Sequence, residues 1–384
     1  MSRLAKDRAR GRRWLRVLAT LAAVLPGCSA AAQDLAYPPS GVDAPVAGPG
    51  GGARATTLTA EEAAAREALY RRGHLVIRPD FGTARPAPQG PPNADSDNAP
   101  AVPAQQTPLE TSAPATAAAP AGGGLLWRVD SGDAPASYVF GTIHVDDRRV
   151  LKLPARVRGA LLSSRSFTME VALGEVDPMA LSTAMYYGDA RTLASTAGPE
   201  LAGRAALLLA ERGIPQRAAL IMKPWAAAVT LSSPATSRGE FLDAHLHNLA
   251  SQRSLPVFGL ESIAEQFAAF EDMAVDDQVA LLRQAVAEHR EVGNAVDEMI
   301  DAYLARDLRR LQGLARGPAG GDQQLADEFM RRVVTQRNLR MVERMQARLR
   351  DGGAFIAIGA LHLPGERGVV ALLRERGYGV TAVY

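Results

Sequence analysis

Cysteine is nearly absent from this chain of 384 residues, because Cys28 is the only one. The sequence after Cys28 therefore has no intramolecular disulfide bond and offers no thiolate ligand to a metal ion. A chain of this length can bury a core large enough to be stable without disulfide bonds. This absence excludes the small disulfide-stabilised folds and the cysteine metal centres.

Three common motifs of enzymes and nucleotide-binding proteins are also missing. The sequence has no glycine-rich phosphate loop, no Gly-x-Ser-x-Gly nucleophile elbow and no His-Glu-x-x-His zinc motif. Each of these motifs needs a fixed spacing to place its reactive groups. The classes of enzyme that they define are therefore not indicated here.

An excess of basic charge is confined to the N-terminus. The formal net charge is +2, but the first 27 residues alone carry +6, so the remainder of the chain carries −4. Domains that bind nucleic acid display a basic stripe or patch. The chain beyond residue 27 has no such excess, and we expect no nucleic-acid partner.

The basic N-terminus is followed by a short, mostly apolar run, Val17–Leu25. This run is too short to span a bilayer, but the order of the two regions is typical of a secretory signal peptide. Two cleavage sites fit, one after Ala32 and one before Cys28, where Leu25-Pro26-Gly27-Cys28 resembles a lipobox with an unusual proline. We predict a signal peptide over 1–32 and export to the periplasm. If cleavage occurs before Cys28 instead, we predict a lipid tether to the membrane at that cysteine.

Residues 33–122 hold 14 of the 25 prolines, together with much alanine, glycine and serine. This composition predicts a largely disordered linker. A Thr-x-x-Glu capping box at Thr59 predicts one helix within the linker, ending near Arg72. The folded domain is then predicted over 123–384.

Two copies of one pattern, a buried strand followed by Gly-x-x-His, lie near the two ends of this domain. They end in Gly141–His144 and in Gly359–His362. Each glycine predicts a sharp backbone turn at the end of its strand. Strands alternate with helices at both ends of the domain, and mainly helical stretches lie between them. We therefore predict an α/β fold with a mixed or parallel sheet at its core and a large helical insertion.

Four polar side chains are predicted at or near strand ends: His144, Glu170, Glu261 and His362. Ligands of parallel α/β sheets bind just beyond the carboxyl ends of the strands. Two imidazoles with one or two carboxylates suit Zn, Mn, Co or Fe. The second carboxylate is then a ligand or a general base, whereas the structural alternative makes each histidine a hydrogen-bonded capping or core residue.

The sequence contains two other polar clusters. In Asp243-Ala244-His245-Leu246-His247 the histidines are two apart, which on a helix points them to nearly opposite faces, so a solvated helix face is predicted there. Arg337-Asn338 lies within a predicted helix. The pair either forms hydrogen bonds with the carboxylates or the substrate of the site, or it is an ordinary surface pair. His74 and His289 belong to no cluster and receive no role.

Taken together, these segments resemble the TraB/GumN family, which includes the pheromone-shutdown and Tiki proteins, and within it the bacterial GumN-like branch. The resemblance covers about Leu125 to Tyr384. The pieces that carry it are Leu126–Val129, Gly141–His144, Met169–Val171, Lys223-Pro224-Trp225, Gly259–Glu261 with Gln266, Arg337-Asn338, and Gly359–Gly365. Gln336 stands where the family pattern has an acidic residue before Arg-Asn.

The resemblance implies a metal-dependent, protease-like site. It assigns His144, His362 and Glu170 to the catalytic centre, with Glu170 as a metal ligand or base and with Glu261 and Arg337 as further catalytic residues. Tiki proteins are Mn- or Co-dependent peptidases, so the implied function is an exported hydrolase with a divalent metal (Mn, Co or Zn) that acts on a peptide or a small molecule. The alternative is a non-catalytic module that sequesters a peptide or small ligand in the same cleft.

Overall fold

The computed structural model describes residues 124–175, 183–234, 240–316 and 323–384. The predicted signal peptide (1–32), the linker (33–122) and the helix predicted from Thr59 to Arg72 lie outside the described residues. The fold and the site are therefore those of the predicted domain.

A six-stranded mixed sheet forms the centre of the domain. Its strands are β1 (Leu126–Asp130), β2 (Ser137–Thr142), β3 (Ser166–Met169), β4 (Val257–Gly259), β5 (Ala354–Gly359) and β6 (Gly379–Ala382). They lie in the order β4-β3-β5-β2-β1-β6. The first four in this order are parallel, whereas β1 pairs antiparallel with both β2 and β6. The α/β fold with a mixed sheet is confirmed.

Helices make up most of the remaining described residues. They are α1 (Arg148–Leu151), α2 (Ala155–Ser163), α3 (Leu193–Ala197), α4 (Pro199–Glu211), α5 (Gln216–Ile221), α6 (Pro224–Ser232), α7 (Leu242–Gln252), α8 (Ile263–Glu271), α9 (Val275–Glu288), α10 (Val292–Leu304), α11 (Leu308–Arg316), α12 (Gln323–Met330), α13 (Arg337–Asp351) and α14 (Val369–Glu375). A π-helix, Arg331–Gln336, joins α12 to α13. Within the described residues, none of these helices is long and apolar enough to cross a membrane.

Two clusters of buried apolar side chains support these elements. The larger one packs on the sheet, where Phe355 of the central strand contacts the rings of Phe140 and Phe167. The second lies within the helical insertion around the fully buried Trp225, which stacks against Phe270 with ring centroids 5.3 Å apart. The helical insertion therefore has a core of its own.

The segment Lys223-Pro224-Trp225 anchors this second core. Pro224 occupies the first turn of α6, where its missing N–H costs no hydrogen bond. The indole nitrogen of Trp225 donates to Oε2 of Glu271 at 2.7 Å, and Nζ of Lys223 lies 2.6 Å from Oε1 of the same carboxylate. A buried tryptophan with a satisfied N–H can thus fix α6 against α8.

The two strands that precede the histidine motifs are neighbours. Strands β2 and β5 pair in parallel, with Thr142 opposite Gly359, although they lie at opposite ends of the domain in sequence. Strand β3 pairs with the other side of β5, and Met169 lies opposite Ala357. The carboxyl ends of three neighbouring parallel strands therefore meet at one edge of the sheet.

Candidate active site

His144, Glu170 and His362 follow the ends of β2, β3 and β5, so the topology brings these three predicted residues to one place. All three side chains are buried. Glu170 comes immediately after β3, which ends at Met169, and His362 closes a turn of 3₁₀-helix that follows β5. The paired pattern that the sequence shows thus converges on one site.

The motif glycines are needed for close approach rather than for the predicted sharp turns. Neither Gly141 nor Gly359 has a positive φ. A Cβ atom at Gly141 would lie 2.7 Å from a methyl carbon of Leu363, and one at Gly359 would lie 3.2 Å from Oε1 of Glu170. The first glycine lets the two motifs pack together, and the second leaves room for the carboxylate.

The protonation of His362 follows from a chain of hydrogen bonds. The amide nitrogen of Asn338 donates to the carbonyl oxygen of Arg367 at 2.8 Å, which leaves Oδ1 of Asn338 facing Nδ1 of His362 at 2.6 Å. Since that oxygen only accepts, Nδ1 carries the proton and Nε2 carries a lone pair. Burial lowers the pKa of His362 to about 3, although the charge of Glu170 acts to raise it, so the ring is neutral near pH 7.

Glu170 is held by three donors. Its Oε2 accepts from Arg337 at 2.5 Å and from the side-chain amide of Gln266 at 3.0 Å, and its Oε1 accepts from the backbone N–H of Gly359 at 2.7 Å. Burial alone would raise the pKa of Glu170, but the charge of Arg337, aided by the two histidines and the Gly359 amide, lowers it to about 2. Oε1 also lies 3.6 Å from Nε2 of His362.

Arg337 joins the two predicted glutamates. Its guanidinium contacts Oε2 of Glu170 and, at 2.8 Å, Oε2 of Glu261. The other oxygen of Glu261 accepts two bonds from Arg340, at 3.0 and 2.7 Å. Burial opposes the charge on Arg337, yet the two carboxylates outweigh it and raise the pKa of its guanidinium. Both oxygens of Glu261 are therefore committed to arginines, which suits a role in placing Arg337.

The π-helix prepares the position of Arg337 and Asn338. A π-helix has more residues per turn than an α-helix and often occurs at functional sites. It ends at Gln336, directly before this pair, and both Arg337 and Asn338 are buried at the start of α13. An ordinary surface pair, one of the two alternatives for this segment, is thereby wrong.

His144 is paired with a residue that the sequence pattern did not indicate. Its Nδ1 lies 2.7 Å from Oδ2 of Asp243, and Oδ1 of Asp243 accepts from the hydroxyl of Thr142 at 2.8 Å. Burial lowers the pKa of His144, but the charge and contact of Asp243 outweigh it and raise the pKa. Nε2 of His144 has no hydrogen-bond partner among the described residues.

Asp243 belongs to the cluster for which a solvated helix face was predicted. That prediction is wrong for Asp243, which is 1% exposed. It lies in the first turn of α7, whereas His245, further along the helix, contacts Glu240 at 2.8 Å. The signal in the sequence was a carboxylate next to an apolar helix position, Leu242, which is also fully buried.

The donor atoms suit a divalent metal ion. Two imidazole Nε2 atoms without hydrogen-bond partners in the described part of the chain, and one carboxylate oxygen, are ligands that Zn, Mn and Co accept. Two ligands about 2.1 Å from one ion lie about 3.4 Å apart in tetrahedral geometry, close to the 3.6 Å between Nε2 of His362 and Oε1 of Glu170. Within the described residues, however, no three His, Cys, Asp or Glu side chains are already arranged as a complete metal-binding group.

Comparison with known proteins agrees with the segments named above. The profile of the TraB/PrgY/gumN family matches residues 125–382, which is more than half of the chain. A search of curated proteins found no match, and neither did a search of solved structures. The matched region includes both histidine motifs, both glutamates and Arg337, so the chain belongs to the TraB/PrgY/gumN family.

Proposed function

We propose that this protein is an exported, metal-dependent hydrolase that cleaves peptides, with His144, His362 and Glu170 as the metal ligands. One observation carries the proposal. The lone pair on Nε2 of His362 and the free lone pair on Oε1 of Glu170 lie on facing atoms 3.6 Å apart. Burying Nε2 of His362 without a partner beside a charged carboxylate costs free energy, and a cation bound by both atoms would offset that cost.

The protonation states favour a metal ion over a proton as that cation. The pKa of His362 is lowered to about 3 and that of Glu170 to about 2, so neither group holds a proton near neutral pH. Neutral imidazole and ionised carboxylate are the forms that bind metals. When bound, a divalent ion would supply Lewis acidity toward water and toward a carbonyl oxygen.

The chain's own residues hold this arrangement in place. Asn338 fixes the ring of His362, and Arg337 with Gln266 fixes the carboxylate of Glu170. Such partners of metal ligands orient them and tune their basicity. Both oxygens of Glu261 are bound by arginines, so Glu170 is the better candidate for either role, metal ligand or base. Glu261 then acts by positioning Arg337.

The substrate and the location are proposed from the sequence. Peptides are proposed because of the resemblance to Tiki proteins, and export is proposed because the basic and apolar regions of residues 1–32 stand in the order of a signal peptide. A lipid tether at Cys28 would place the protein at a membrane surface. N-terminal sequencing of the mature protein tests both routes, because an intact Met1 would contradict export.

The decisive test is metal content with peptide cleavage. Purified protein is stripped with a chelator, reloaded with Mn, Co or Zn, and incubated with a peptide library. We expect one metal to restore cleavage, and we expect His362→Ala to lose both metal and cleavage. His245→Ala is the matched control, since His245 also contacts a carboxylate but lies outside the site. Full metal occupancy in folded His362→Ala would overturn the proposal, and metal binding with ligand capture but no turnover would favour the sequestering module.

A further inference from the structure

We infer that Asp243 is a positioning residue of this site, which fixes the orientation of His144 and holds a proton on its Nδ1, so that Nε2 is the nitrogen left for a ligand. The part of the inference that concerns metal affinity rests on the proposed function. The part that concerns the tautomer does not. Asp243 itself would touch neither the metal nor the substrate.

The carboxylate of Asp243 contacts the first histidine motif at two points. Oδ2 lies 2.7 Å from Nδ1 of His144, and Oδ1 accepts from the hydroxyl of Thr142 at 2.8 Å. Thr142 and His144 belong to the same four-residue motif, so one carboxylate contacts two of its residues. Rotation of the carboxylate would lose one of these contacts, and the ring of His144 is therefore fixed relative to the end of β2.

The backbone of this motif is held as well. The phenol of Tyr303, from α10, donates to the carbonyl oxygen of Gly141 at 2.8 Å. Tyr303 and Asp243 come from different helices of the insertion, and both are buried. Two helices of the insertion, α7 and α10, thus hold the motif in place without any bound ligand.

The tautomer follows from the chemistry of the carboxylate. An ionised carboxylate only accepts hydrogen bonds, so the imidazole nitrogen that faces it must carry a proton. In the neutral ring Nε2 then has the lone pair, and this atom is buried without a hydrogen-bond partner in the described part of the chain. A carboxylate behind a ligating histidine also raises the basicity of that histidine.

The two histidines of the site differ in this respect. His362 is held by the neutral amide of Asn338, whereas His144 is held by the charge of Asp243. The same tautomer is imposed on both rings, but only His144 gains basicity from a charged partner. We therefore expect His144 to be the stronger of the two nitrogen ligands.

The test combines a tautomer measurement with a metal titration. Protein with ¹⁵N-labelled histidine is prepared as wild type, Asp243→Ala, Asp243→Asn and Thr142→Val, and long-range ¹H–¹⁵N spectra report the tautomer of His144. Co²⁺ titration of the same proteins reports metal affinity. Asp301→Ala is the control, because Asp301 is exposed and pairs with Arg149 at 3.4 Å rather than with a residue of the site.

At a pH where the ring is neutral, we expect wild-type His144 to be the Nδ1–H tautomer and Asp243→Ala to populate the Nε2–H form. The Co²⁺ dissociation constant should rise about 10–100-fold in Asp243→Ala, less in Asp243→Asn, which keeps an acceptor but loses the charge, and stay within about twofold in the control. An unchanged tautomer or an unchanged dissociation constant in folded Asp243→Ala overturns the inference.

If Asp243→Ala does not fold, the isosteric Asp243→Asn and the more distant Thr142→Val decide the same question, and unchanged Co²⁺ affinity in both overturns it. If the wild type binds no Co²⁺, the proposed metal site fails. The tautomer spectra then still decide the role of Asp243, so the two failures are distinguishable.

Discussion

The guanidinium of Arg337 lies 2.5 Å from the carboxylate of Glu170, and both side chains are only 2% exposed. Removing one partner of a buried pair leaves the other charged and unpaired. We therefore predict that Arg337→Gln lowers the free energy of unfolding by about 3–5 kcal/mol. Urea denaturation of metal-free protein measures this change.

The matched control for this variant is Arg331→Gln. Arg331 makes an ion pair of similar length, 2.6 Å, with Glu328, but its side chain is 48% exposed. Exposed pairs contribute about 0–1 kcal/mol, so this variant should change stability little. Equal losses of unfolding free energy in the two variants would show that burial does not strengthen the contacts of Arg337.

The stability of metal-free protein should fall on acidification in two overlapping ranges. The folded-state pKa of His362 is lowered from 6.5 to about 3, so unfolding takes up a proton between these values and stability falls as the pH drops through them. The folded-state pKa of Glu170 is lowered from 4.5 to about 2, so its contribution is complete above 4.5 and is lost as the pH falls through 2.

Variants separate the two contributions to this pH dependence. His362→Gln should flatten the curve of unfolding free energy between pH 6.5 and 4.5, whereas Glu170→Gln should flatten it mainly below pH 4.5. Each shift corresponds to a loss on the order of 3–5 kcal/mol across its full range. Urea titrations at pH 7, 5.5, 4.5 and 3.5 test this, and parallel curves for all three proteins would contradict it.

A methyl group at Gly359 should disturb the site more than the fold. The added Cβ would lie 3.2 Å from Oε1 of Glu170 and 3.4 Å from a ring carbon of His362, so we predict that Gly359→Ala displaces the carboxylate and weakens metal binding. Gly203→Ala is the control, because Gly203 lies within α4 with nothing within 4 Å of the added atom. The control should gain about 0.5–1 kcal/mol of stability, and metal affinity that is equal in both variants would refute the prediction.

The two histidines should behave as one unit toward the metal. His144→Ala and His362→Ala should each lose most of the bound ion, and the double variant should be little worse than either single one, since one missing ligand already disables the site. Metal stoichiometry of the three folded proteins measures this. Additive, partial losses would indicate two independent sites.

The N-terminal segments should be dispensable for stability. A chain that starts near Gly122 is expected to melt within a few degrees of the mature protein, since the removed residues show little apolar periodicity. Thermal unfolding of the two proteins compares them. A large drop in melting temperature would show that part of residues 33–122 packs on the domain.

The sequence indicated the fold and three site residues because their signals are local. A strand ending in Gly-x-x-His can be recognised twice, and the parallel pairing of β2 with β5 then brings His144 and His362 together. Glu170 was indicated in the same way, by its position after a short apolar strand. These features depend on residues close together in the chain.

The rest of the site depends on contacts between distant segments. Asp243 was missed because its partners, Thr142 and His144, lie in another part of the sequence, and because the spacing of the histidines beside it drew attention to the wrong side chains. Contact of Arg337 with the carboxylates was one of two alternatives for its segment, whereas the contact of Glu261 with Arg340 was not indicated. A pattern shows which residues are available but not which ones share a buried contact.

The position of β5 has a consequence for synthesis of the protein. This strand lies between β3 and β2 in the sheet, yet in the chain it comes after β1, β2, β3 and β4. While the ribosome still holds the C-terminal part, the sheet lacks a central strand and the candidate site lacks His362 and the Gly359 amide. A chain that terminates before Ala354 is thus without the candidate site, so activity at this site requires that β5 and His362 have been synthesised.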